Sequence, residues 1–234
     1  MAIRTLLLKL AMLLALMHVS WCVRAQDAGA FVRFSGSVSI VGADNKVRVA
    51  SANNKIHSGD TVSTDARSEA VVKMADDSIV ALRPNTQFRF TEYRYEEKSS
   101  DKSVATLLRG AVRLITGLIG KANNNNVSVQ VSTATIGIRG TDFEVVLLEE
   151  GSNEGRAGVY STVNEGATHV KLVSGEEVDV KTNQTAFAPE KPLPGEPPLQ
   201  LLDSRPVFIR GGAFDSMMRQ VTGQSMRAIQ NMRR

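Results

Sequence analysis

Ala70-Val71-Val72-Lys73-Met74-Ala75-Asp76-Asp77-Ser78-Ile79-Val80-Ala81-Leu82 decides the fold class of this chain. Two short aliphatic runs, rich in β-branched residues, flank the polar pair Asp76-Asp77. Asp tolerates the positive φ that tight hairpin turns need, so 70–74 and 79–82 read as paired strands. The same texture extends outward on both sides. Segments 36–41, 46–50, 61–64 and 87–95 repeat it, followed by 103–108, 110–116, 127–132, 141–148, 158–162, 169–173 and 177–181. Strand-like runs at roughly ten-residue spacing, separated by Gly, Asp and Asn, predict an all-β domain over 31–187, a compact β-roll, short solenoid-like domain or sandwich. Asn123 to Asn126 and the stretch 151–158 read as exposed loops.

The ends differ from this middle. Arg4 and Lys9 flank the start of an apolar run over 10–17, which is too short to span a bilayer and suits the core of a secretory signal. Val23-Arg24-Ala25 supplies a cleavage site, so residues 1–25 are expected to be removed and the mature chain to be periplasmic or secreted. Trp21 argues against lipid attachment at Cys22, the only cysteine, because a small residue is needed at that position. Five prolines between Pro189 and Pro198 mark 188–205 as a Pro-rich linker. Over 206–234 the residues Phe214, Met217, Met218, Val221, Ala228, Ile229 and Met232 share one helical face, which predicts a C-terminal amphipathic helix. Gly223 weakens that helix, so it needs a surface to dock on, and Phe214, Met217, Met218, Val221 and Ile229 are the expected contacts. The docking surface is the chain's own β domain, a partner protein, or an anionic membrane met peripherally through Arg219, Arg227, Arg233 and Arg234.

Charge narrows the partners. The formal net charge of +4 includes Arg4, Lys9 and Arg24 of the leader, which leaves the mature chain at about +1. The six arginines from Arg205 onward concentrate the positive charge in the tail, so no nucleic-acid partner is expected. No second apolar run of spanning length follows the leader, and the mature chain is expected to have no transmembrane segment.

Signals for catalysis are weak. His57 and His169 stand alone in strand or turn contexts, and no metal-ligand spacing, HExxH helix or GxSxG elbow occurs. Gly120-Lys121 fails as a phosphate loop, since Ile115 replaces its first glycine and Ala122 its hydroxyl residue. Ser99 and Lys102 have the spacing of a Ser-Lys nucleophile pair but lie in a polar loop, where the amine stays protonated. The expectation is a non-enzymatic protein without cofactor or metal. A carbohydrate-binding protein or hydrolase of the envelope is the alternative, although aromatics make up only 5% of the chain and the one Trp lies in the leader.

Two motifs remain. Gly59-Asp60-Thr61 follows Ile56-His57-Ser58 and places a glycine and a hydrogen-bonding Asp at a tight turn. Ile136-Gly137-Ile138-Arg139-Gly140-Thr141-Asp142-Phe143 sets one Arg in an otherwise apolar stretch, and Arg139 is expected to be a partly buried strut with Asp60 or Asp142 as its carboxylate partner. Together with Gly36-Ser37-Val38, 68–82 and Leu108-Arg109-Gly110-Ala111-Val112, these residues make the stretch from about 35 to 146 resemble the FecR domain family, named for a periplasmic regulator of ferric citrate uptake. The resemblance implies an all-β, non-catalytic, extracytoplasmic module with Gly59, Asp60, Thr61, Arg139, Gly140, Thr141 and Asp142 as structural motif or interaction residues. That regulator carries a cytoplasmic anti-sigma segment and a transmembrane helix, and the cleavable leader points instead to a free-standing secreted form. Its expected role is protein interaction or sensing, with another envelope protein as partner.

Overall fold

The computed structural model describes residues 27–52, 54–209, 218, 220 and 221. The signal-peptide reading of 1–25 and the tail contacts Phe214, Met217 and Ile229 lie outside the described residues. The chain is all-β. Its strands are β1 Asp27–Ser35, β2 Val38–Val41, β3 Val47–Val49, β4 Lys55–His57, β5 Thr61–Thr64, β6 Glu69–Met74, β7 Ile79–Leu82, β8 Gln87–Arg94, β9 Lys102–Ile115, β10 Val127–Gln130, β11 Ala134–Leu148, β12 Gly158–Leu172, β13 Glu177–Lys181, β14 Thr185–Pro189 and β15 Gln200–Leu202. One short helix, α1 Leu118–Ala122, lies between β9 and β10.

All fifteen strands belong to one open hydrogen-bonded sheet, and three long strands fold it over on itself. Residues 110–115 of β9 pair with β7 and with 142–147 of β11, whereas 102–109 pair with β8 and, in parallel, with β10. The first half of β12 pairs with the second half of β11 and with β14; its second half pairs with the first half of β11 and with β13. The first layer therefore runs β15-β14-β12-β11-β9-β7-β6-β1-β4, and the second runs β13-β12-β11-β10-β9-β8-β5-β2-β3. A single apolar core draws on both layers, among others Phe31, Leu82, Phe143 and Val145 from the first and Ile40, Val62, Phe88 and Ile136 from the second.

The bends fall at glycines. Gly110 has φ +84°, and Gly140 and Gly166 have φ +67° and +83° on facing strands, where the β11–β12 register shifts. A Cβ at Gly166 would lie 2.4 Å from the Gly140 carbonyl oxygen. Such crowding leaves glycine as the one residue that fits.

The hairpin at Asp76-Asp77 is formed, with Asp77 at φ +63°. Asp76 is fully buried. Its carboxylate accepts from Ser78 Oγ (2.7 Å), Tyr93 Oη (3.1 Å) and the Ile119 backbone (3.3 Å), which joins the turn to β8 and α1. Burial and the neighbouring Asp76 charge push the Tyr93 hydroxyl far up, so it stays protonated and donates.

Strands β7 and β14 are buried on both faces, which is why 79–82 shows no polar alternation. The cover is the C-terminal segment. Ile209, in a 3₁₀ turn over Val207–Ile209, packs with Ala111, Val146, Leu148, Tyr160 and Phe187. Met218 and Val221, both helical, pack with Val71, Ile79, Ala81 and Ile115. The stretch expected to be a linker carries structure of its own: β14 ends at Pro189, β15 pairs with β14, and Arg156 clamps Glu196 through two contacts of 2.6 and 2.9 Å.

Candidate functional site

The Gly59-Asp60-Thr61 turn is a junction between edges. Asp60 is 3% exposed and accepts from the His57 backbone N–H (3.0 Å) and from Arg48 Nη2 (2.5 Å), a residue of β3. Backbone bonds tie the same turn to β8, because Gly59 donates to the Phe90 carbonyl (2.6 Å) and Phe90 donates to the Asp60 carbonyl (2.9 Å). Gly59 holds φ +91°, and Thr61 opens β5, opposite Arg89 and Val41. His57 lies between two acids, with Nε2 3.2 Å from Asp27 and Nδ1 3.5 Å from Asp60.

Beside this turn, a groove of about 900 Å³ opens between the edge strands β3 and β4, lined among others by Asp27, Lys46, Val47, Arg48, Lys55 and His57. Among the described residues, strand β3 pairs with β2 alone. Its bonded position is Arg48 opposite Ile40, flanked by bonds from Gly42 to the Lys46 carbonyl and from Ala50 to the Val38 carbonyl. That pattern turns the backbone groups of Val47 and Val49 away from β2. Their side chains are 69% and 80% exposed.

The second motif is divided by the bulge. Arg139 is not a buried strut: its side chain is 57% exposed, on the outer face of the second layer, 3.9 Å from Asp179. The shift of register at Gly140 puts Asp142 in the other layer, where Arg113 grips it through Nε (2.7 Å) and Nη2 (2.6 Å). Neither expected partner serves Arg139, since Asp60 takes Arg48 and Asp142 takes Arg113. Thr141 is buried, its N–H donating to Thr116 Oγ1 (3.1 Å) and its carbonyl accepting from the Thr116 N–H (2.9 Å). Around Arg139 the outer face is ionic: His169 Nδ1 lies 2.8 Å from Asp179, and this bond, helped by the Arg139 charge, holds the Asp179 carboxyl below its ordinary range.

One buried acid escaped the sequence reading. Glu144 is fully buried, with Oε1 2.5 Å from Arg83 Nε and Oε2 3.5 Å from Arg205 Nη2. Burial pushes its carboxyl up, against the pull of Arg83, Arg205 and Arg113. Arg205 Nη1 also donates to Asn164 (2.7 Å), which donates to Asp142 (3.0 Å). Arg83 donates to the Ile209 carbonyl at 3.0 Å. The motif residue Asp142 is thereby wired to the C-terminal segment. Its signal in the sequence is a single acid in the apolar run Phe143-Glu144-Val145-Val146.

Among the described residues, no group of three or more His, Cys, Asp and Glu side chains is arranged to hold a metal ion. No helix among them is long and apolar enough to cross a membrane. Asp60 and Thr61 of the first motif turn, the bent strand β9 and the second motif with its half-buried Asp142 fall within residues 60–176, which match the family model described as FecR protein. The chain belongs to the FecR family. The FecR match begins and ends further along the chain than the resemblance over about 35 to 146, and takes in β12 with its bend at Gly166. Two crystal structures described as a proposed anti-sigma factor from Parabacteroides distasonis are similar to this FecR chain, at 14% and 16% identity and TM-scores of 0.48 and 0.47. Each match covers 62% of this chain and 60% of the other, so the chain spans about 60% of the length of those proteins. A cell surface anchoring domain matches 26% of the chain and 82% of its own length, at 21% identity and a TM-score of 0.26. No curated protein sequence matches.

Proposed function

We propose that this FecR-family chain is a non-catalytic interaction or sensing module of the cell envelope, working outside the cytoplasm after loss of residues 1–25, and that it binds another envelope protein. The observation that carries the reading is the open edge of β3, where Val47 and Val49 present exposed side chains and outward-facing backbone groups beside the β3–β4 groove. Such an edge accepts an extended segment of a partner as an added strand, with main-chain hydrogen bonds for affinity and side-chain pockets for selectivity. The polar motif residues support a non-catalytic role, because Asp60, Thr141 and Asp142 are spent on internal bonds that brace the fold.

The test replaces both valines. Val47→Lys with Val49→Lys leaves the melting temperature within a few degrees, because exposed substitutions change stability by about 0.5 kcal/mol or less. In crosslinking of intact cells, the wild-type chain is expected to yield one envelope-protein adduct that the double variant loses. Retention of that adduct by the variant, or recovery of the chain from the cytoplasm with Met1 intact, overturns the proposal.

A further inference from the structure

Among the described residues, the second layer ends on β3 at one side and on β13 at the other. The two edges differ in what guards them. On β13 the exposed positions are Glu177, Asp179 and Lys181, charges of the kind that keep an edge unpaired. On β3 they are Val47 and Val49. The groove beside β3 has only one wall free to pair, because the groups of β4 are spent. The Lys55 carbonyl accepts from Arg48 Nη1 (3.4 Å), and the His57 N–H and carbonyl are taken by Asp60 (3.0 and 3.1 Å).

Arg48 separates the two valines and faces the other way. It stands opposite Ile40, which is fully buried, so its side chain points inward, where Asp60 holds it through Nη2 (2.5 Å). Lys46 and Lys55 line the same groove. Their own pairs, with Asp44 at 2.9 Å and Asp27 at 3.8 Å, are exposed and weak.

We propose that the β3 edge selects, from its envelope partner, an extended antiparallel segment with an acidic residue opposite Arg48 and β-branched residues opposite Val47 and Val49. The inference rests on the reading of β3 as the docking edge and adds the chemistry of the segment. Val47 and Val49 turn their backbone groups outward and so take the hydrogen-bonded positions. Arg48 then falls at the intervening position, where facing side chains come closest. A cation there meets a guanidinium that Asp60 keeps in place, whereas a carboxylate meets opposite charge, with Lys46 and Lys55 in the same groove. On the outer face, β-branched side chains pack well across from valine. Main-chain bonds give affinity to any extended segment, so selectivity lies in these three positions.

The probes are three peptides, Gly-Ser-Thr-Val-X-Val-Thr-Ser-Gly with Glu, Gln or Lys at X, titrated into the ¹⁵N-labelled protein and followed by NMR. The Glu peptide is expected to move the Val47 and Val49 amide signals saturably. The Lys peptide is expected to bind at least about fivefold more weakly, with the Gln peptide between them. In Arg48→Gln the Glu and Lys peptides are expected to bind within about twofold of each other. A Lys peptide that binds wild type as well as the Glu peptide does overturns the proposal and leaves strand addition at β3 standing. So does a preference that persists in a folded Arg48→Gln; if that variant does not fold, the wild-type series decides alone. Val47 and Val49 signals that no peptide moves at millimolar concentration overturn the edge reading together with this one.

Discussion

Asp142 and Glu144 lie two residues apart on one strand and face the same side of the first layer, where neither can rely on water to balance its charge. Asp142 has a bidentate guanidinium and an amide for company, so Asp142→Ala removes both charge-assisted bonds of the pair and is expected to cost about 3 kcal/mol in urea denaturation. Arg139, three residues earlier, is solvated and makes only a long contact, so Arg139→Ala is expected to cost less than about 0.5 kcal/mol in the same measurement. An equal loss for both variants would contradict the division of the motif between two layers. Glu196 offers a test by pH. Its bonds to Arg156, the Leu193 backbone and Gln200 hold its carboxyl down at about 2, against an ordinary value of 4.5. A carboxyl held low in the folded state contributes stability above its unfolded pKa and loses it as pH falls. The clamp on the proline-rich stretch is thus intact at pH 5 and fails progressively from pH 4.5 down to about 2. Carboxyl titration by NMR is expected to find Glu196 near that low value in wild type and raised toward 4.5 in Arg156→Ala, where the Leu193 and Gln200 bonds remain.

At the scale of elements, the bent strands carry the architecture, and their glycines are not equivalent. Gly140 has open space where a side chain would go, so Gly140→Ala meets only the cost of a left-handed backbone, about 1 kcal/mol. Gly110 faces Asn85 O at 2.6 Å and Thr86 Cα at 2.7 Å, and Gly110→Ala must also move that backbone. Thermal melts are expected to place Gly110→Ala well below Gly140→Ala, by about 2 kcal/mol or more. These same glycines mark the limit of what the sequence discloses. Runs of β-branched residues locate strands well, because the demand for a pleated, half-buried surface is local, and β5 and β7 fall where the residues place them. Arg109, beside Gly110, and the 163–168 stretch read as breaks between strands, whereas β9 and β12 run through them. A glycine with positive φ looks the same in a sequence whether it ends a strand or bends one, and only distant partners decide. Arg139 illustrates the result at the site: alternation counted without the extra bulge residue points it inward, and with that residue it points to solvent. Strand β15 was hidden among prolines, because its pairing comes from β14 and not from its own propensity.

For the whole molecule, two layers share one scaffold. Truncating Met218 to Ala is expected to lower stability by about 2 kcal/mol, since the side chain fills the cluster over Val71 and Ala81, and denaturant unfolding measures it directly. No change would mean that the tail does not rest on the sheet in solution. The three strands common to both layers also dictate how the chain comes apart. With β9, β11 and β12 each contributing one half to either layer, neither layer is a unit that can melt while the other persists, and unfolding should follow a single exponential without an intermediate. The pairings are distant in the chain, β1 with β6 and β7 with β9, so each must wait for a large loop to close. Folding is therefore expected in milliseconds to seconds and not microseconds. A chain that is slow to knot its layers together stays extended long after synthesis begins, which is the state in which a polypeptide can still be threaded through a narrow pore.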